Sequence, residues 1–147
     1  MGYLAEAELR WQRVNKVTAP SVQISWGELI DKITILEIKE QRLLSKQSIT
    51  NVRNELAALM SVARYALAEQ KDLAALRKQL KSVNETLWDI EDRIRAKEAT
   101  QSFDQEFIQL ARSVYLNNDR RGDLKHRINM LTNSALGEEK QYTSYRR

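Results

Sequence analysis

From Glu28 to Arg121 the chain contains neither glycine nor proline. Those two residues are the strongest local breakers of regular structure, so the stretch reads as long helices with few reversals. The apolar pattern agrees. Leu73, Leu76, Leu80, Val83, Leu87, Ile90 and Ile94 recur at spacings of three and four. A second series runs Phe103, Phe107, Leu110, Val114, Asn117, Arg121, Leu124, Ile128 and Leu131. Such alternation draws one narrow stripe along an α-helix. The short A-T-Q-S between the series predicts a tight reversal, with Ser102 capping the later helix and Gln105 completing a capping box. The predicted fold class is therefore all-α: antiparallel helical hairpins in a coiled-coil-like bundle, preceded by an N-terminal helical arm.

Ahead of the long hairpin, S-W-G-E (Ser25 to Glu28) is a helix start. The Ser25 hydroxyl can accept the amide of Glu28, and the Glu28 carboxylate can return to the amide of Ser25. The helix from Trp26 to about Leu44 carries Leu29, Ile33, Leu36, Leu43 and Leu44 on one face, with Ile35 and Ile38 nearly opposite. A helix apolar on two sides is sandwiched between partners. Glu40 falls inside the main apolar arc and Glu37 at its edge, so each needs a cation, a hydrogen bond or water. A second helix covers Ile49 to about Leu67, with Ile49, Val52, Leu56, Leu59 and Ala63 inward. The apolar phase slips between Ala66 and Leu73, which predicts a break near Glu69 to Asp72, with Asp72 as a candidate cap. Lys81–Glu85, Asp89–Arg93 and Glu91–Arg95 stand four apart on the third helix. Gly122, inside the fourth, marks a close backbone approach or a kink. Leu4, Ala7, Trp11 and Val14 form the amphipathic arm, and Pro20 lies in the linker. The resulting division is residues 1–21 as arm and linker, 22–136 as helical bundle, and 137–147 as a flexible polar tail.

Composition bounds the chemistry. A chain of 147 residues favours one domain. It has no cysteine and a single histidine, His126, so neither a thiolate site nor a histidine-based metal site is expected. No cofactor is predicted. No apolar run is long enough to span a bilayer, and the N-terminus lacks the apolar segment of a secretory signal, so the expected location is cytoplasmic. The net charge is +4, and the 30% of residues that are charged mix both signs along the chain. A nucleic-acid binder concentrates its excess on one surface. The basic run R-R-G-D-L-K-H-R (Arg120 to Arg127) instead winds round a whole helix, and nucleic acid is not an expected partner.

At G-E-L-I-D-K-I-T-I-L-E-I-K (Gly27 to Lys39), L-W-D-I-E-D-R-I-R (Leu87 to Arg95), S-V-Y-L-N-N-D-R-R (Ser113 to Arg121), L-K-H-R-I-N (Leu124 to Asn129) and A-L-G-E-E-K-Q-Y (Ala135 to Tyr142) the chain resembles a family of uncharacterised small helical bacterial and phage proteins. Some of these are associated with genes for surface-glycan synthesis. The resemblance spans about Val22 to Tyr142. It implies a helical fold and carries no assigned activity. The I-D-x-I at Ile30 to Ile33 also resembles the start of the all-helical chorismate mutases, but the downstream spacing does not follow.

The candidate site is a polar seam. Asn117 and Arg121 interrupt the fourth-helix stripe, with Lys125 beside it. Asn84, Trp88, Glu91 and Arg95 flank the stripe of the third helix, and Glu37 and Glu40 add acids from the first. On one reading the seam is structural: a polar residue in a coiled-coil stripe fixes register and partner number, and Arg121 neutralises Glu40 or Glu37. On the other it is a ligand or anion pocket. No catalytic residue is assigned. Ile35 and Ile38, with Leu4, Trp11 and Val14, are expected to form an interface, most simply in a two-fold homodimer. The expected function is a non-enzymatic helical scaffold or protein-interaction module. The alternative is an accessory enzyme or small-molecule or anion-binding protein that uses the seam, in the setting of glycan metabolism.

Overall fold

The computed structural model describes residues 19–144, and the arm residues Leu4, Trp11 and Val14 lie outside them. The described residues hold four helices and no strand: α1 (Trp26–Arg42), α2 (Lys46–Glu69), α3 (Lys71–Ala99) and α4 (Gln105–Leu131). The chain is all-α, as the spacing predicts. Helix α1 packs against every other helix, whereas α2 and α4 do not meet. The pair α1 and α3 therefore stands between α2 on one side and α4 on the other.

Each boundary has a local cause. Ser25 begins α1, its hydroxyl accepting the Glu28 amide at 3.1 Å. The other half of the expected box is replaced: the Glu28 carboxylate reaches Lys125 of α4. Helix α1 stops at Arg42, earlier than the apolar pattern suggests. Leu43 turns extended, Leu44 is 96% exposed, and Ser45 already caps α2 by accepting the Ser48 amide. Leu43 and Leu44 thus leave the α1 face. A single residue, Gln70, separates α2 from α3 inside the expected break, and Asp72 sits in the first turn of α3 instead of capping it.

The reversal between α3 and α4 closes differently from the expectation too. Gln101 adopts a left-handed backbone, φ 51°, and the amides of Gln101 and Ser102 return to the carbonyls of Glu98 and Lys97. Those two bonds satisfy carbonyls that a helix end leaves open. Ser102 is spent in that closure, so the cap passes to Asp104, whose carboxylate accepts the Phe107 amide at 3.0 Å. Asn133, φ 48°, ends α4 in the same way.

The core gathers where α1 crosses the others. Ile30, Ile33, Leu73, Leu80 and Ile128 are sealed from solvent, with Ala63 closing the α2 side. Six of the third-helix stripe, Leu73 through Ile90, are buried as the spacing predicts. The fourth-helix stripe is covered only at Leu110, Leu124 and Ile128, and its ends Phe103 and Leu131 are exposed. Two of the three expected i,i+4 pairs give way to contacts between helices. Lys81 turns to Glu37 at 3.5 Å, Asp89 to Arg42, and Arg93 to Glu106 at 2.6 Å, while Glu91–Arg95 holds at 2.9 Å.

The close approach assigned to Gly122 belongs to Gly27. A Cβ on Gly27 would stand 2.6 Å from the Lys125 carbonyl oxygen and 2.9 Å from Asn129 Oδ1, whereas one on Gly122 would meet only the end of Lys140 at 3.5 Å. The absent side chain lets the first turn of α1 seat directly on α4. The Gly27 amide donates to Asn129 Oδ1 at 2.7 Å and the Trp26 amide to Ser134 Oγ at 3.3 Å. With Glu28 on Ser25, three first-turn amides are satisfied. Part of the tail segment is also held: Glu138 pairs with Lys125 at 2.9 Å.

Candidate functional site

The seam is organised by a residue that the apolar stripes do not single out. Asp31 is 3% exposed, in the second turn of α1. An isolated carboxylate at such depth is costly unless it is paired and hydrogen-bonded. Arg121 of α4 supplies the pair side-on: Nε donates to Asp31 Oδ1 at 2.9 Å and Nη2 donates to Oδ2. Asn84 of α3 donates one amide proton to Asp31 Oδ1 and the other to Thr34 Oγ1, each at 2.9 Å. The Thr34 hydroxyl in turn donates to the Asp31 carbonyl at 2.8 Å. Three helices therefore meet on one buried carboxylate. Its hydrogen bonds hold Arg121 above its already high ordinary pKa, so the guanidinium is permanently charged.

Arg121 does not neutralise Glu37 or Glu40. Glu37 pairs with Arg77 and Lys81 of α3, and Glu40 with Arg53 of α2 at 2.7 Å. Both face a different side of α1 from the Asp31 cluster, in a shallow recess shared with Arg77 and Lys78. Asn117 donates to the Ser113 carbonyl one turn back on its own helix, at 2.8 Å. Lys125, 8% exposed, sits between Glu28 at 2.5 Å and Glu138 at 2.9 Å. Burial alone would lower its pKa, but the hydrogen bonds to those two carboxylates outweigh this and raise it. Hydrogen bonding to Lys125 holds Glu138 below the usual carboxylate range.

The other candidates converge. A groove of about 480 Å³ runs along α1, α3 and α4 beside the Asp31 cluster. Asn84, Trp88, Glu91, Arg95 and Arg121 line it, together with Ile35, Ile38, Leu87, Asp92 and Asn118. Five of the nine seam residues thus share one surface, while Glu37, Glu40, Asn117 and Lys125 do not reach it. Ile38 is 1% exposed and Ile35 half-buried, so the second apolar face of α1 is largely covered by its own chain. Trp88 is held by the Arg42 guanidinium, 5.8 Å from its ring centroid. The groove offers two cations, two carboxylates, two amides and an aliphatic wall. Such a surface suits recognition of a ligand with both polar and apolar parts.

A signal for Asp31 was present. Ile35 and Ile38 stand four and seven residues after it, which places Asp31 on that second apolar face of α1. A carboxylate on a buried face demands a cation. Among the described residues no group of three or more histidine, cysteine, aspartate or glutamate side chains is placed to hold a metal ion. No described helix is long and apolar enough to cross a membrane.

Fold and seam define a helical bundle built on one buried ionic cluster that joins α1, α3 and α4. The chain belongs to a family of unknown function, DUF6165, whose model matches residues 20–145 and so covers every helix described. No curated protein and no solved structure matches it.

Proposed function

We propose that the chain is a non-enzymatic helical scaffold of the cytoplasm that self-associates, most simply as a two-fold dimer. The observation that supports this reading most is the outer side of α4. Ile108, Leu116 and Met130 are 47%, 48% and 70% exposed, on a helix whose inner side is already packed. At 100° per residue they fall within about a quarter of its circumference. Covering them against a second copy would contribute about 25 cal/mol for each Å² of apolar surface removed from water. The seam then serves this role indirectly: the charges of α1 are spent on α2, α3 and α4, which fixes helix register and keeps the outer face in one shape. The arm residues Leu4, Trp11 and Val14 are expected to join the same interface.

Light scattering at tens of micromolar tests the reading. The wild-type chain is expected at twice its chain mass. Ile108→Glu with Leu116→Glu is expected at one chain mass with unchanged helical circular dichroism. A wild-type protein of single chain mass would overturn the proposal. A second reading, a small-molecule-binding protein, draws support from the convergence of Asn84, Trp88, Glu91, Arg95 and Arg121 on one groove.

A further inference from the structure

We propose that this groove binds an elongated zwitterion: a carboxylate at the Arg121 end, an ammonium at the Glu91–Asp92 end, and an apolar stretch between them. The inference rests on the second reading above and names its ligand class. The first support is the hydrogen-bond geometry of Arg121. Its Nε and one proton of Nη2 are committed to Asp31, a side chain 4% exposed. That leaves the end of the guanidinium, Nη1 and the second Nη2 proton, on a residue that lines the groove. A guanidinium fork locked from behind is pre-organised for a carboxylate, and the lock removes the side-chain entropy of binding.

The second support is at the other end. Glu91 and Asp92 line the groove on α3. Arg95 holds one Glu91 oxygen at 2.9 Å and leaves the second free to accept. A lone carboxylic acid would bring a negative charge toward these two acids, and a lone amine would bring a positive charge toward Arg121. A zwitterion meets the open guanidinium edge at one end and the carboxylates at the other.

The third support is length. Asn84 and Arg121 share Asp31 Oδ1, which places them at one level. Glu91 follows Asn84 by seven residues, about 10 Å along the helix axis at 1.5 Å per residue. Side chains on one helix lean the same way, so this separation carries over to their polar ends. An α-amino acid carries both charges on one carbon and is too short. A chain of about five methylenes advances roughly 1.25 Å per bond when extended, and with a charge-assisted hydrogen bond of about 2.8 Å at each end it spans the gap. Leu87 and Trp88 on α3, facing Ile35 and Ile38 on α1, supply the apolar wall between the ends. Asn84 Oδ1 accepts no hydrogen bond from the described residues and is not sealed from solvent, so an acceptor also remains beside Arg121 for a water or a ligand hydroxyl.

The test uses 6-aminohexanoate, hexanoate and hexylamine at millimolar concentrations. It follows the Trp88 indole ¹H–¹⁵N resonance, assigned with Trp88→Phe. The expected result is that 6-aminohexanoate moves this resonance and binds about tenfold more tightly than either one-ended probe, the usual size of a charge-assisted hydrogen bond. Glu91→Gln with Asp92→Asn should bring 6-aminohexanoate down to the hexanoate level without weakening hexanoate. Arg121→Lys should weaken both acids. If that variant does not fold, the rim pair, which lies at the surface, carries the test alone. Equal binding of 6-aminohexanoate and either one-ended probe would overturn the zwitterion while sparing the groove as a binding surface. A Trp88 resonance unmoved by all three would overturn both.

Discussion

Two of the charge clusters that tie α4 to the rest of the bundle are built in opposite ways. At the root of the α3–α4 hairpin, Asp31 is buried and Arg121 and Asn84 converge on it from two helices. At the tip, Lys97 bridges Asp104 at 2.8 Å and Glu106 at 2.6 Å, and Arg93 joins Glu106. The tip carboxylates are about half exposed, and no residue between Ile90 and Leu110 is buried. The tip has the larger number of ion pairs and the smaller hold on the fold. Water competes for exposed pairs and salt screens them. A buried pair behaves otherwise, because removing one partner strands the other charge away from water. The number of salt bridges is therefore a poor guide to what holds this bundle; their depth is the better one.

The sharpest way to break that contrast is Asp31→Ala. It leaves Arg121 without its counter-ion and Asn84 without one of its two acceptors. A loss of about 3–5 kcal/mol in urea unfolding is expected. A loss below about 1 kcal/mol, the size typical of a surface pair, would put root and tip on an equal footing. Gly27→Ala probes the same root by shape alone. Its Cβ would press on the Lys125 carbonyl, backbone that cannot swing aside. Overpacking of this kind costs about 1–3 kcal/mol, partly offset by the better helix propensity of alanine. The same substitution at Gly122 should be neutral or stabilising by comparison.

The smallest effect belongs to the tip. Lys97→Met should leave the urea midpoint near wild type while amide exchange quickens across residues 97–106. This variant also carries a pH signature. Hydrogen bonds from Lys97 hold Asp104 below its ordinary value of 3.8, and those from Lys97 and Arg93 hold Glu106 below its ordinary 4.5. Groups with lowered values stabilise the folded state above their unfolded pKa and lose that contribution as pH falls through the folded one. Protection at the tip should accordingly drop in acid below about pH 4.5 in the wild type and change less in Lys97→Met. A large shift in global stability on removing Lys97 would show that the tip is no mere clasp.

The hairpin was legible because its signal is periodic. Leu73 through Ile90 repeat often enough that one face had to be buried, and it is. The break at Gln70 was legible from a phase slip alone. What the pattern could not show is the choice a long charged side chain makes between a neighbour four residues away and one on another helix. Lys81, Asp89 and Arg93 each chose the other helix. Arg121 is visible as an interruption of an apolar stripe, but the larger apolar face of α1 points to Glu37 or Glu40 as its partner, because those acids fall on or beside it. Asp31 lay on the smaller face, whose burial depends on where α3 and α4 pass. Caps were open to the same ambiguity: Ser102 and Asp104 are both capping residues two positions apart, and the left-handed turn at Gln101 decides between them.

The start of α1 is completed by the far end of the bundle. The amides of Trp26 and Gly27 find their acceptors at Ser134 and Asn129, 108 and 102 residues later. On the ribosome, α1 emerges early, yet these caps cannot form until the last turn of α4 has cleared the exit tunnel. Until then Gly27 presents bare backbone and Asp31 has no Arg121 to meet. Synthesis therefore proceeds with the central helix unlatched until α4 and the residues just after it have emerged.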